Sequence, residues 1–170
     1  MTALSPFGPN IWVAEGPVVS FHGFPYPTRM AVIRLRNGSL FIWSPIALTA
    51  ELRTEVEALG SVACLVSPNK IHHLFLKPWK DAYPQSRTYA LDELKKRNLA
   101  PPIDVLLEDA PDPAWADDID QLQSKLKVKA GRYGNPAIPM VTAVLCLSPT
   151  MERLDMEQAL FGREAFLVSP

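Results

Sequence analysis

The clearest hydrophobic pattern in the chain lies at positions 30–43, where two apolar runs flank Asn37-Gly38. Asn-Gly tolerates the positive φ angles of a type I′ turn, so the pattern predicts a β-hairpin with a two-residue loop. In that register one face is purely aliphatic, and its burial would specify the pairing. The opposed pairs are Leu35 with Leu40, Ile33 with Ile42, Arg34 with Phe41 and Val32 with Trp43.

A helix and a buried strand follow the hairpin, whose second strand ends at Ser44-Pro45. Apolar residues recur at helical spacing up to Leu59, with Thr49 as the N-cap and Gly60 as the C-terminal stop. The apolar run at 62–66 has no polar alternation, which is expected of a strand covered on both faces.

The rest of the pattern predicts short elements joined by proline-rich loops. They are a strand at 11–19 broken at Gly16-Pro17, an aromatic loop at 21–27, a short helix or turn at 74–83, a strand at 87–90, a helix at 92–97, strands at 103–107 and 140–147, an unstructured stretch at 131–139 and a helix from 148 to 162. The order strand, hairpin, helix, strand, helix, strand indicates an α/β fold. The 17 scattered prolines argue against a helical bundle.

Length and charge narrow the classes of function. A chain of 170 residues suits one domain with a sizeable core. The net charge of −1 provides no basic field, so we expect no nucleic-acid partner. We also expect no membrane span, because no apolar run approaches roughly 20 residues. The two cysteines, Cys64 and Cys146, do not suggest a disulfide framework, and Cys64 is expected to be a buried apolar residue. With no secretory signal, a cytoplasmic location is expected.

Two of the three histidines, His72 and His73, stand in the polar loop after the apolar run and are the candidate metal ligands. Adjacent histidines point apart on a helix or a strand, so joint ligation requires a loop conformation. The alternative is that they cap the next helix or hydrogen-bond nearby backbone, because two histidines fall short of the ligand count of zinc sites. His22, in the aromatic loop, is a further residue that could approach them.

Other residue types carry weaker signals. Three acids, Asp117, Asp118 and Asp120, are possible metal ligands or acid–base groups, but their clustering is more typical of a helix start. Ser67 lacks the Gly-x-Ser-x-Gly context of an activated nucleophile. The four tryptophans are expected to anchor the core or loops rather than to bind a ligand: Trp12, Trp43, Trp79 and Trp115.

The hairpin, helix, buried strand and histidine loop, in this order, resemble the metallo-β-lactamase fold. The resemblance is closer to a branch of unknown function with a Ser/Ala-Pro-Asn-x-x-His-His loop, and it covers roughly residues 11–120. It implies an αββα sandwich or the N-terminal half of one. The matching features are Arg29-Met30, Asn37-Gly38, Ser44-Pro45, Leu59-Gly60, the loop at 68–73, Trp79, Tyr83-Pro84 and Trp115.

Members of the metallo-β-lactamase group bind metal through a Thr-His-x-His-x-Asp-His motif. Aligned with it, Ser67 takes the threonine position, and Pro68 and Lys70 replace the first two histidines. His72 replaces the aspartate, and His73 alone keeps its identity. Because proline cannot ligate and a charged lysine repels metal, the resemblance implies a degenerate metal site.

The resemblance therefore implies a non-catalytic binding or interaction module without a cofactor, whose partner is a small molecule or a protein. One alternative is a metal-dependent hydrolase with an unorthodox mononuclear site, holding zinc or iron, at His72 and His73. Another is a shortened product with no separate activity.

The family pattern is lost after Asp120, where a strand bearing phenylalanine and histidine is expected. We therefore expect a metallo-β-lactamase-like domain at 1–120. A divergent segment at 121–170 would pack on that domain or truncate it, as in a shortened version of a longer domain.

Overall fold

The computed structural model describes residues 3–21, 24–69, 72–97, 101–126 and 140–147. In chain order the elements are β1 (Ser5–Gly8), β2 (Ile11–Phe21), β3 (Phe24–Arg34), β4 (Leu40–Trp43), α1 (Ala50–Leu59), β5 (Val62–Ser67), α2 (Leu76–Ala82), β6 (Arg87–Ala90), α3 (Asp92–Arg97), β7 (Val105–Leu106), β8 (Ile119–Leu126) and β9 (Met140–Leu147). The mixture of helices and a large sheet confirms the predicted α/β class.

Strands β1 to β7 form one sheet in which the spatial order equals the chain order. The pairings from β1 to β4 are antiparallel, and those from β4 to β7 are parallel. The parallel half places the carboxyl ends of β4, β5 and β6 along one edge, the usual position of ligand sites in open α/β sheets. Strands β8 and β9 pair antiparallel in a second sheet.

Side chains alternate between the two faces of the large sheet along each strand. Both faces are buried. Helices α1 and α2 cover one face and contribute Leu52, Val56, Leu76 and Trp79 to its core. The opposite face packs against a turn before β8. Its core contains Ile11, Ala31, Ile33, Leu35, Phe41, Trp43, Cys64, Val66, Tyr89, Leu91, Leu107, Trp115 and Ile119.

The predicted β-hairpin exists, but its predicted register is wrong by one residue. Arg34 pairs with Leu40, and Ile33 pairs with Phe41. Because side chains alternate with a period of two, the shift moves Ile33 onto the same face as Phe41 and Trp43. That face is therefore partly aromatic. The other face carries Arg34 opposite Leu40, so neither face of the hairpin is purely aliphatic.

The different register follows from a three-residue loop at 36–38. The Leu35 amide donates to the Ser39 carbonyl over 2.9 Å, which closes the loop. Gly38 adopts a φ of 82°, a conformation that suits glycine, at the position of a bulge. The Asn37 side chain accepts a 2.9 Å hydrogen bond from the Ser39 amide.

Most other elements confirm the predictions, with local corrections. The Thr49 side chain caps α1 by accepting from the Leu52 amide, and the strand at 87–90 and the helix at 92–97 are present. The prediction of an aromatic loop at 21–27 is wrong, because β2 and β3 extend over most of this segment. The predicted strand at 103–107 shrinks to β7. The helix at 148–162 and the unstructured stretch at 131–139 lie outside the described residues.

Candidate functional site

The candidate site begins where the parallel strands β4 and β5 end. Trp43 pairs with Val66 in this ladder, so the next residue on each strand, Ser44 and Ser67, lies at the same edge of the sheet. The Ser44 amide donates to the Val66 carbonyl over 2.9 Å. Ser44 then leaves the ladder with a φ of 55°, a strained value for a residue other than glycine.

The loop after β5 folds back on itself and brings the histidine pair beside this edge. The buried Ser67 hydroxyl donates to the Asn69 carbonyl over 3.1 Å, and Asn69 is itself buried. The His73 carbonyl accepts from the Leu76 amide over 3.1 Å, at the start of α2. The N-cap residue of α2, Phe75, makes no side-chain capping hydrogen bond, and the alternative in which the histidines cap this helix or hydrogen-bond nearby backbone stays a prediction.

His72 is linked to the end of β4 by its side chain. The Ser44 hydroxyl and Nδ1 of His72 share a short hydrogen bond, in which the hydroxyl donates when Nδ1 carries no proton. Burial, assisted by the nearby charge of His73, lowers the pKa of His72 to about 4. His72 is therefore a neutral imidazole at physiological pH and can accept a proton or a hydrogen bond.

A cleft of about 40 Å³ opens beside the Ser44–His72 pair. Strands β2 and β3 form one wall, and the residues after β4 and β5 form the other. Since one water needs about 10–15 Å³, the cleft has room for only a few atoms. Apart from the two polar side chains of the pair, the lining is mostly apolar: Val19, Tyr26, Pro27, Thr28, Pro45, Leu74 and Phe75.

A family comparison places the chain in a known group. A model described as a domain of unknown function, DUF4336, matches residues 10–138. The chain belongs to the DUF4336 family. The match runs past Asp120 and strand β8 spans this position, so a domain division there stays a prediction. A comparison with curated protein sequences gives no match.

Solved structures show the fold of this DUF4336 chain. It is similar to DIM-1 metallo-β-lactamase, from a crystal exposed to ceftazidime, with a TM-score of 0.59, 16% identity and coverage of 85% of this chain and 64% of that chain. It is also similar to metallo-β-lactamase IND-7, with a TM-score of 0.56, 9% identity and coverage of 85% and 65%. The expected metallo-β-lactamase-like fold is thus confirmed. The chain spans less than two thirds of either structure.

The described part of the DUF4336 chain does not supply a complete metal centre at the histidine loop. Among these residues, no three histidine, cysteine, aspartate or glutamate side chains are close enough to hold a metal ion. Zinc sites use three or four protein ligands, so His72 and His73 alone do not fit one. His22 and Lys70 lie outside the described residues.

The aspartates named from the sequence are not brought to the histidines. Asp118 forms a 3.1 Å ion pair with Arg36, in the β3–β4 loop, and the Asp117 carbonyl accepts from the same guanidinium. This loop lies at the opposite end of β4 from Ser44. Asp120 belongs to β8, so the expected helix start over the three aspartates is wrong.

Two other expectations concern core residues. Trp43, Trp79 and Trp115 are buried core residues, as expected, and Trp12 packs under the Arg34 guanidinium at 5.7 Å. Cys64 is a free, buried thiol.

Among the described residues, no helix has the length and apolar character needed to cross a bilayer.

Sequence reasoning missed Ser44 as a site residue in this DUF4336 chain. Ser44-Pro45 was interpreted only as the end of a strand. The available signal was topological: a helix between two strands predicts a parallel crossover, and parallel neighbours end at the same edge. The residue after the first strand then lies beside the loop after the second.

Proposed function

We propose that this chain is a metal-independent binding module that receives a small apolar group with one polar end in the cleft beside Ser44 and His72. The observation that carries the proposal is the donor set at the histidine loop, which falls short of a metal site in the described residues. The apolar walls would contact the hydrocarbon part of the guest, and the hydroxyl–imidazole pair would orient its polar end.

The second candidate is a hydrolase with a mononuclear zinc or iron site at His72 and His73. The Ser44–His72 hydrogen bond favours it, because histidines that ligate metals usually engage their other ring nitrogen in a hydrogen bond. It would require further ligands from residues outside the described part of the chain.

Metal analysis separates the two candidates. The chain is expressed with zinc and iron supplied, purified without chelators and analysed by mass spectrometry, beside a His72→Ala, His73→Ala double variant. We expect substoichiometric metal that is equal in both proteins. One zinc or iron per chain that disappears in the double variant would establish the hydrolase-type site instead.

Binding is tested with 1-butanol, which carries a short apolar chain and one hydroxyl. We expect saturable shifts of the backbone amide signals of Ser44, His72 and Leu74 in nuclear magnetic resonance spectra. Leu74 and Val18 are both exposed apolar residues, 51% and 64% exposed, but only Leu74 lines the cleft. Leu74→Gln should weaken binding, and the matched control Val18→Gln should not. Shifts that never saturate, or that respond equally to the two variants, would refute the cleft as the binding site.

A further inference from the structure

The β3–β4 loop contains the single Asn-Gly dipeptide of the chain, Asn37-Gly38. Both residues are exposed, and they lie at the opposite end of β4 from Ser44 and His72. Asparagine followed by glycine is prone to spontaneous deamidation, because glycine has no side chain that obstructs attack by its own amide nitrogen. The loop is therefore a candidate site of covalent modification that is separate from the proposed binding cleft.

The reaction needs only the chain and water. The Gly38 amide nitrogen loses its proton to solvent base and bonds to the side-chain carbonyl carbon of Asn37. The bond from that carbon to the side-chain nitrogen breaks, and ammonia leaves with a proton taken from water. Water then opens the resulting five-membered imide at either carbonyl, which gives aspartate or isoaspartate.

The hydrogen bonds of the closed loop oppose the first step. The Gly38 amide, which must lose its proton, donates to the Leu35 carbonyl over 2.9 Å. The carbonyl carbon of Asn37 must move onto the Gly38 nitrogen, but its Oδ1 accepts from the Ser39 amide over 2.9 Å and from the Ser39 hydroxyl over 2.7 Å. Attack therefore requires that these bonds open.

The isoaspartate product does not suit the closed loop. It routes the backbone through the former side-chain carbon and so lengthens the loop by one methylene group. Space is limited, because a Cβ added to Gly60 would clash with the Gly38 carbonyl oxygen. The preceding residue, Arg36, is fixed by its amide, which donates to the Asp118 carboxylate over 3.2 Å, and by its guanidinium, which pairs with the same carboxylate at 3.1 Å. A longer backbone would have to break one of these contacts.

We propose that Asn37 is a deamidation site whose modification is slowed by the closed β3–β4 loop and follows opening of that loop. Once isoaspartate has formed, the loop stays open. The modification thus records how often this end of the sheet opens, and it does not depend on whether the cleft binds a ligand.

The rate of deamidation of the full chain at mildly alkaline pH tests the first part. Peptide mass spectrometry compares the native chain with the same chain unfolded in guanidinium chloride. We expect modification of Asn37 to be at least about tenfold slower in the native chain, because two or three hydrogen bonds must open first. An equal or faster rate in the native chain would overturn the proposal.

A pair of serine variants tests whether the loop itself causes the delay. Ser39→Ala removes the hydroxyl donor to Asn37 and should speed native-state deamidation about fivefold, the change typical of one neutral hydrogen bond. Ser61→Ala is the matched control, because Ser61 is exposed and its carbonyl, not its side chain, bonds the Leu40 amide. Each native rate is divided by that of the same variant unfolded. An unchanged ratio in Ser39→Ala contradicts the proposal, and so does a lower one, since Ser39 would then stabilise the developing oxyanion.

Hydrogen exchange in an aged native sample tests the product. Peptides with asparagine and with isoaspartate separate by chromatography, so one sample reports on both forms. The Leu35 amide, which closes the loop on the Ser39 carbonyl, should exchange faster in the isoaspartyl chains. Asn37→Asp carries the same charge on a normal backbone and should exchange like the asparagine form. Equal exchange in the isoaspartyl and asparagine forms would show that the loop closes again and would refute that part of the proposal.

Discussion

The lowered pKa of His72 predicts that this residue contributes to the sensitivity of the fold to mild acid. Burial, with the charge of His73, lowers that pKa from 6.5 to about 4. Between these two values the unfolded chain binds more protons than the folded chain, so stability rises with pH. The contribution is fully present above about pH 6.5 and is lost as the pH falls towards 4.

The magnitude follows from the size of the shift. A difference of about 2.5 pKa units at about 1.4 kcal/mol per unit gives up to about 3 kcal/mol between pH 7 and pH 4. His72→Asn removes the titration and keeps a polar atom near the position of Nδ1, so the Ser44 hydroxyl retains a partner. Carboxylates titrate equally in both proteins, and their effect cancels in the difference.

Urea unfolding at several pH values between 7 and 4 measures this difference. We expect the wild-type free energy of unfolding to fall more steeply than that of His72→Asn, with a gap that widens only below about pH 6.5. A titration of the His72 ring signals by nuclear magnetic resonance gives the pKa independently. Parallel curves for the two proteins, or a His72 pKa near 6.5, would refute the reasoning.

Three further predictions rest on single contacts. Thr49→Ala should lower the free energy of unfolding by about 1 kcal/mol in urea titrations, because it removes the N-cap of α1, whereas Thr54→Ala on the exposed side of the helix should change it much less. Cys64, whose pKa is raised to about 11 by burial, should resist iodoacetamide in the native state and react once the chain unfolds, as mass spectrometry of the labelled peptides would show. Gly16→Ala should cost about 1–3 kcal/mol in the same titrations, since its added Cβ would lie 2.8 Å from Cβ of Ile46; an unchanged midpoint would contradict that packing.

The order of the elements was predictable because periodicity and stop signals agree in the first half of the chain. The helix ending at Gly60 and the strand at 62–66 show this most clearly. The hairpin register was not predictable from Asn37-Gly38, because the same dipeptide serves two-residue and three-residue loops. Both faces of the sheet are largely apolar, so the hydrophobic pattern did not distinguish the two registers.

The candidate site was predicted in part. The histidine loop was found because it interrupts an apolar run, but its hydrogen-bond partner Ser44 comes from a different strand. The contact between Tyr89 and Trp115 gave no sequence signal, because both are aromatic residues of a kind found throughout apolar cores. Only the parallel pairing of β5 with β6 brings Tyr89 next to Val66, and the turn at 112–118 then places Trp115 over it.

The identity of spatial and chain order in the large sheet has a consequence for how the chain folds during synthesis. Each strand from β2 to β7 pairs with the strand that precedes it, so its partner has already left the ribosome when it emerges. No strand has to wait for a distant segment or insert between two others, and the sheet can grow at a single edge. We therefore expect the antiparallel hairpins of β1 to β4 to form once Trp43 has emerged from the ribosome, before the histidine loop emerges.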